Sequence, residues 1–158
     1  MRKRQCWLIL FCLLAIAAGL LRGSTSASGA LTAHFINVGQ GDCCWLHLPN
    51  GDDILVDGGK PQAGPTVVAY LSQHGVSDIE LLVGTHGDAD HIGGLLDVLA
   101  SIDIEQAWLD SWQTCTTGVC EDFYQALADH QVVTATVRMG ESHRWGEVTA
   151  LVLNPSEP

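Results

Sequence analysis

Thr85-His86-Gly87-Asp88-Ala89-Asp90-His91-Ile92-Gly93-Gly94 places four candidate metal ligands, His86, Asp88, Asp90 and His91, within six residues. Upstream, Ile79 to Val83 is a short apolar run suited to a buried strand, and downstream, Ile92 to Ala100 carries helical apolar spacing. The segment therefore joins the carboxyl end of a strand to the start of a helix, which is where open α/β sheets place their sites. Imidazole nitrogens mixed with carboxylate oxygens suit zinc, or manganese or iron where oxygen ligation dominates. If Gly87 and Ala89 let the loop turn, His86 and Asp88 share one face, and Asp90 and His91 enter the same pocket from the helix side. Gly93 and Gly94 let the helix start approach its neighbours with no Cβ in the way. One Asp or His alone would read as a polar loop residue, with Asp90 capping the helix. Four in this order point to a metal site.

The surrounding pattern is α/β. Leu31 to Val38, Cys43 to Leu48 and Asp53 to Asp57 are β-rich runs separated by the turn signals Gly39-Gln40-Gly41-Asp42 and Pro49-Asn50-Gly51-Asp52, which predicts an antiparallel meander. Helical spacing over Thr66 to His74 then introduces an alternation: strand at Ile79 to Val83, helix at Ile92 to Ala100, strand at Ile104 to Leu109, helix at Cys120 to His130. Strands at Val132 to Val137 and Val148 to Leu153 follow. Residues 31–158 read as one domain, within the size range of a single core.

Residues 1–30 read as a signal peptide or N-terminal anchor. Arg2-Lys3-Arg4 precedes an apolar run over residues 6–21 and a small-residue stretch ending at Ala30. Export would place the remainder in the periplasm or outside the cell, with the membrane involved only through an uncleaved residue 6–21 anchor. Beyond residue 30, three basic residues (Lys60, Arg138, Arg144) face 18 acidic ones, a net of −15. Such a surface argues against a sequence-independent grip on nucleic-acid backbones, which requires clustered Lys and Arg. A nucleic-acid substrate held by a metal stays compatible with it. Cys115 and Cys120 enclose a turn-like segment that either closes as a disulfide in an oxidising compartment or leaves two free thiols. Cys43 and Cys44, neighbours on a strand, point to opposite faces and read as packing residues. Asp42, Asp52 and Asp53 read as turn residues, His130 and His143 as surface or core histidines, and Trp108, Trp112 and Trp145 as core or interface rings rather than a substrate-facing patch.

The string His86-Gly-Asp-Ala-Asp-His-Ile-Gly-Gly94 resembles the His-x-His-x-Asp-His signature of the metallo-β-lactamase superfamily, with Asp88 where most members carry a second His. With Phe35-Ile-Asn-Val-Gly-Gln-Gly-Asp42 and Ile54-Leu-Val-Asp-Gly-Gly59, it is similar to the extracellular hydrolase domain of ComEC-type DNA-uptake proteins. The resemblance runs from about His34 to Pro155. It implies an αββα sandwich and a two-metal hydrolase site, zinc first, with manganese or iron as alternatives. By the match His86 and Asp88 would hold one metal and Asp90 and His91 the other. Asp90 would orient the nucleophilic water, and Asp57 would brace the metal loop rather than catalyse. The implied reaction is hydrolysis of a phosphodiester in DNA, with a small phosphorylated or ester substrate as the alternative.

Full-length relatives continue beyond the Asn154-Pro155 segment into a second half supplying a Gly-Asp carboxylate and a His-His-Gly-Ser motif. The chain thus reads as an αββα sandwich truncated at its carboxyl end. The rival expectation is a catalytically silent remnant or binding module lacking the second ligand set. Its bare sheet face would drive self-association or pairing with a complementary chain.

Overall fold

A computed structural model describes residues 29–110 and 115–155. The expectations for the N-terminal segment and for Trp112 lie outside the described residues. Among the described residues no helix is long and apolar enough to cross a membrane. The strands are β1 (Thr32–Phe35), β2 (Cys44–His47), β3 (Asp53–Val56), β4 (Asp78–Gly84), β5 (Asp103–Asp110), β6 (Val133–Val137), β7 (Ser142–Trp145) and β8 (Val148–Leu151). The helices are α1 (Gly64–Gln73), the single turn α2 (Ala89–Ile92), α3 (Leu95–Ser101) and α4 (Gly118–Asp129), with a 3₁₀ turn at Pro61–Ala63 before α1.

The main sheet has the order β1-β2-β3-β4-β5-β6, and β7-β8 form a separate two-stranded sheet. β1, β2 and β3 pair antiparallel, as tight turns allow, whereas β3-β4, β4-β5 and β5-β6 are parallel and joined through helices. Successive residues of β3 show what this does to the sequence. Leu55 packs with Leu82 and Ala107 among helix residues such as Val67, Leu95, Val98 and Phe123, while Ile54 packs with Leu48, Leu81 and Trp108 on the other face. Trp145, Val148 and Val152, from the β7-β8 hairpin and the residues after it, lie over that second face. The result is a mixed α/β fold with a central sheet, helices on one side and a small second sheet on the other.

Several boundaries depart from the sequence reading. α1 begins two residues earlier, at Gly64-Pro65, because Pro is suited to the first helical turn, where its missing N–H costs nothing. The helix expected from Ile92 to Ala100 is divided into α2 and α3 around Gly93 and Gly94. Here the chain is squeezed. A Cβ on Gly93 would run into Pro61, and one on Gly94 into the carbonyl of Gly58. β7 was not expected at all. Its Ser-His-Arg-Trp sequence alternates exposed and half-buried side chains, and it pairs with β8 through a two-residue turn in which Gly146 takes φ +55°.

The junction at Gly94 yields a test of this packing. Gly94→Ala should destabilise the fold by about 1–3 kcal/mol, because backbone on both sides must shift. Gly118→Ala, at the start of α4 with nothing within 4 Å of its added Cβ, should be neutral or stabilising by at most about 1 kcal/mol. Chemical denaturation midpoints of the two variants check this, and equal midpoints would contradict the close approach at Gly94.

Candidate functional site

The site forms where β3 and β4 end side by side. Asp57 directly follows β3, is 2% exposed, and takes φ +58°, a left-handed conformation that Asp tolerates better than most residues. Its backbone N–H donates to the Val83 carbonyl, anchoring it to the end of β4. The carboxylate accepts three hydrogen bonds: from the Thr85 N–H at 2.9 Å, from the Thr85 hydroxyl at 2.6 Å and from His91 Nδ1 at 2.8 Å.

This arrangement makes Nδ1 the donating nitrogen of both histidines. A carboxylate only accepts, so His91 donates from Nδ1, and its Nε2 keeps the lone pair. The Thr85 proton is likewise committed to Asp57. Its oxygen therefore accepts from His86 Nδ1, 3.0 Å away, which turns Nε2 of His86 toward Asp88, where a proton or a cation would lie between them. One buried carboxylate thus prepares two imidazoles, one directly and one through a hydroxyl. Metal-binding histidines are commonly held this way, by a partner on the nitrogen that does not ligate.

The structure brings the motif residues to one rim. The His86 and His91 rings lie 3.9 Å apart between centroids, and His86 Nε2 is 3.4 Å from Asp88 Oδ2. Asp88, not Asp90, is the residue preceding α2, and its side chain makes no capping bond. Asp90 stands in the first turn of α2, where its Oδ2 accepts from Gln40 Nε2 at 3.3 Å. Imidazole and carboxylate donors with fixed tautomers are the right kind of set for a divalent cation. Yet among the described residues no three His, Cys, Asp or Glu side chains converge into a metal-holding group. The donors fit a cation in type, with His86 near both Asp88 and His91, without closing a coordination sphere.

Sequence reasoning missed three residues at this rim. Asp42 is more than a turn residue, since its Oδ2 lies 4.0 Å from His91 Nδ1. Gln40, in the same β1-β2 loop, reaches Asp90. Thr85 carries the link between Asp57 and His86. The signal for the loop was its pair of glycines. Gly41 takes φ +117°, and a Cβ there would collide with the Asp90 carbonyl, so the loop lies directly on the start of α2. Cys43, next to Asp42, packs into the core instead of facing the rim. Burial, with the nearby Asp57 and Cys44, pushes its thiol up to about 12, so it stays protonated and inert at neutral pH.

The remaining candidates lie elsewhere. Asp53 is a buried strand residue, corrected from a turn assignment: its Oδ1 accepts from Trp45 Nε1 at 2.8 Å and meets His47 Nδ1 at 2.7 Å. His143 packs on Trp108 with ring centroids 4.2 Å apart, and Trp145 lies 5.3 Å from Trp108, all on the second sheet face. His130 caps the end of α4 in solvent. Cys115 and Cys120 form a disulfide with 5.3 Å between Cα atoms, while Cys43 and Cys44 are free.

Comparison with known proteins agrees with this architecture. Residues 36–114 match the Metallo-beta-lactamase superfamily. The chain belongs to that superfamily and carries its hydrolase-like fold. Over 44 residues, 27% of this chain, it is 50% identical to metallo-beta-lactamase domain-containing protein 1 of Homo sapiens and to that of Mus musculus. It spans only 16% and 17% of those proteins. A Cronobacter sakazakii metallo-β-lactamase with a HARLDQ motif superposes with a TM-score of 0.52 at 20% identity, covering 73% of this chain and 49% of that one. A diphosphatase from the PhnP family gives 0.45 at 17% identity, covering 70% and 42%.

Asp57→Asn tests the carboxylate's role, since Asn tolerates the same backbone conformation. The Asn amide would face one of the three donors with a donor of its own, costing about 1–3 kcal/mol of stability in denaturant unfolding. Nitrogen-15 spectra of His86 and His91 should show the Nδ1-protonated forms giving way to mixed tautomers. Unchanged histidine spectra would remove Asp57 as the organising group.

Proposed function

We propose that this chain carries part of a metal-dependent hydrolytic site that cleaves a phosphodiester or a related ester bond, in the manner of the extracellular hydrolase domain of ComEC-type proteins. The observation that carries the reading is the Asp57-Thr85 network, which engages Nδ1 of both His86 and His91 and leaves Nε2 of each for a cation on the rim shared with Asp88 and Asp90. A divalent cation bound there, zinc first and manganese or iron otherwise, supplies Lewis-acid activation of water. The chain's own residues do the rest. His86 with Asp88, and Asp90 with His91, would hold the ions in pairs. Asp90, held through Oδ2 by Gln40, would orient a water for attack.

The substrate is either DNA or a small phosphorylated or ester-bearing molecule. With three basic residues beyond residue 30, contact with it is confined to the site rather than spread over a basic surface. The Cys115–Cys120 disulfide and the basic-then-apolar N-terminus together support export to the periplasm or cell exterior, with residues 6–21 as a removed signal or a retained anchor.

A second reading, a binding module or silent remnant, is favoured by one observation: no three donors converge among the described residues. In that reading the partly buried Leu46, Val56 and Val83 on the second sheet face would pack against another copy or a complementary chain.

Metal content by plasma mass spectrometry, on the chain purified without chelator, separates the two readings. Stoichiometric divalent metal, lost in Asp90→Ala/His91→Ala and accompanied by cleavage of bis-p-nitrophenyl phosphate, is the expected result. Equal background metal in both proteins would overturn the hydrolase reading and leave the binding module.

A further inference from the structure

Lys60 is the half-buried residue between β3 and the 3₁₀ turn, and its ammonium donates to Gln40 Oε1 at 2.9 Å. Gln40 in turn donates from Nε2 to Asp90 Oδ2. The direction of this chain is forced, because an ammonium can only donate and a carboxylate can only accept. The Gln40 amide therefore presents its oxygen to Lys60 and its NH₂ group to Asp90.

Two features set Lys60 apart from an ordinary surface lysine. It is one of only three cations facing 18 acidic residues beyond residue 30, yet it has no carboxylate within ion-pair distance among the described residues. Its backbone is also held on both sides. Gly59, at φ +70°, donates to the Asp42 carbonyl and accepts from Gly94 N–H, and the Lys60 carbonyl accepts from Ala63 N–H. Val38 occupies the space a Cβ on Gly59 would need. The ammonium thus rests one amide away from Asp90, with no direct carboxylate partner among the described residues.

We propose that Lys60 is the anion-recognising residue of this site: it binds a negatively charged phosphoryl oxygen of the substrate, and Gln40 couples that contact to the placement of Asp90. This rests on the hydrolytic reading above and narrows it to an anionic phosphoester. Lys60 is a specificity residue and Gln40 a positioning residue. Only the Lys60 contact depends on the charge of the substrate, since Gln40 holds Asp90 whichever ester is attacked.

Kinetics provide the first test. Lys60→Met should raise KM for bis-p-nitrophenyl phosphate about 10-fold or more, the worth of one charged hydrogen bond. It should leave KM for neutral p-nitrophenyl acetate unchanged, and Lys60→Arg should retain most of the phosphodiester affinity. Equal changes for both substrates, or none for either, would overturn the proposal. Binding provides a second test that needs no turnover. The sequence holds two lysines, Lys3 and Lys60, so nitrogen-15 labelling of lysine side chains isolates Lys60, with Lys60→Arg for assignment. Titrating chelator-treated full-length chain with inorganic phosphate at constant ionic strength should shift the Lys60 signal saturably, while equal chloride does not. A Lys60 signal that does not respond to phosphate would sink the assignment even if the chain proves to be a hydrolase. A saturable response in a chain that cleaves neither ester would uphold anion recognition while removing the hydrolytic reading.

Discussion

The Asp57 carboxylate is the constraint on which the site depends. It ends β3, touches the end of β4 through its own backbone, and takes hydrogen bonds from Thr85 and His91. Left without these partners, a buried carboxylate would be heavily penalised. With them it ties the loop Thr85 to Asp88 to the start of α2, and it engages Nδ1 of His91 directly and Nδ1 of His86 through Thr85. Its left-handed backbone turns the chain sharply into Gly58 and Gly59, so the segment that follows can lie against Gly94. Local strain, strand termination and site chemistry meet in one residue.

The glycines around Asp57 show how tightly this corner is built. The Gly58 N–H donates to the His91 carbonyl, and the Gly94 N–H donates to the Gly59 carbonyl. Two successive glycines thus stitch the loop after β3 to the end of α2 and to the gap before α3. Bulk at Gly58, Gly93 or Gly94 would separate them. The histidine-bearing loop is thereby held on a rigid support, as a site needing fixed donor angles requires.

Much of this was legible in the chain. The strand before Thr85 and the three-strand meander follow from hydrophobic period and turn chemistry, and the cluster of His and Asp from His86 to His91 is plain in the sequence. What stayed hidden depends on contacts between distant segments. Thr85 looks like any threonine until Asp57, 28 positions earlier, accepts its hydroxyl. Gln40 gains meaning only from Asp90, 50 positions on, and from Lys60. The break between α2 and α3 could not be read from periodicity, because Gly93 and Gly94 interrupt no apolar pattern. It comes from backbone crowding against Pro61 and Gly58. β7 escaped because a short, half-polar strand on a small hairpin carries too little alternation to stand out.

The order of the main sheet bears on how the chain acquires its shape. Every strand from β1 to β6 lies beside the one made just before it, so no strand waits for a distant segment to arrive before it can pair. A chain emerging amino end first can lay down the sheet one edge at a time. The Asp57-His91 contact becomes available as soon as α2 has emerged, well before Cys115 meets Cys120. The Asp57 corner is therefore independent of the crosslink, and the disulfide ties down the start of α4 on a scaffold already in place.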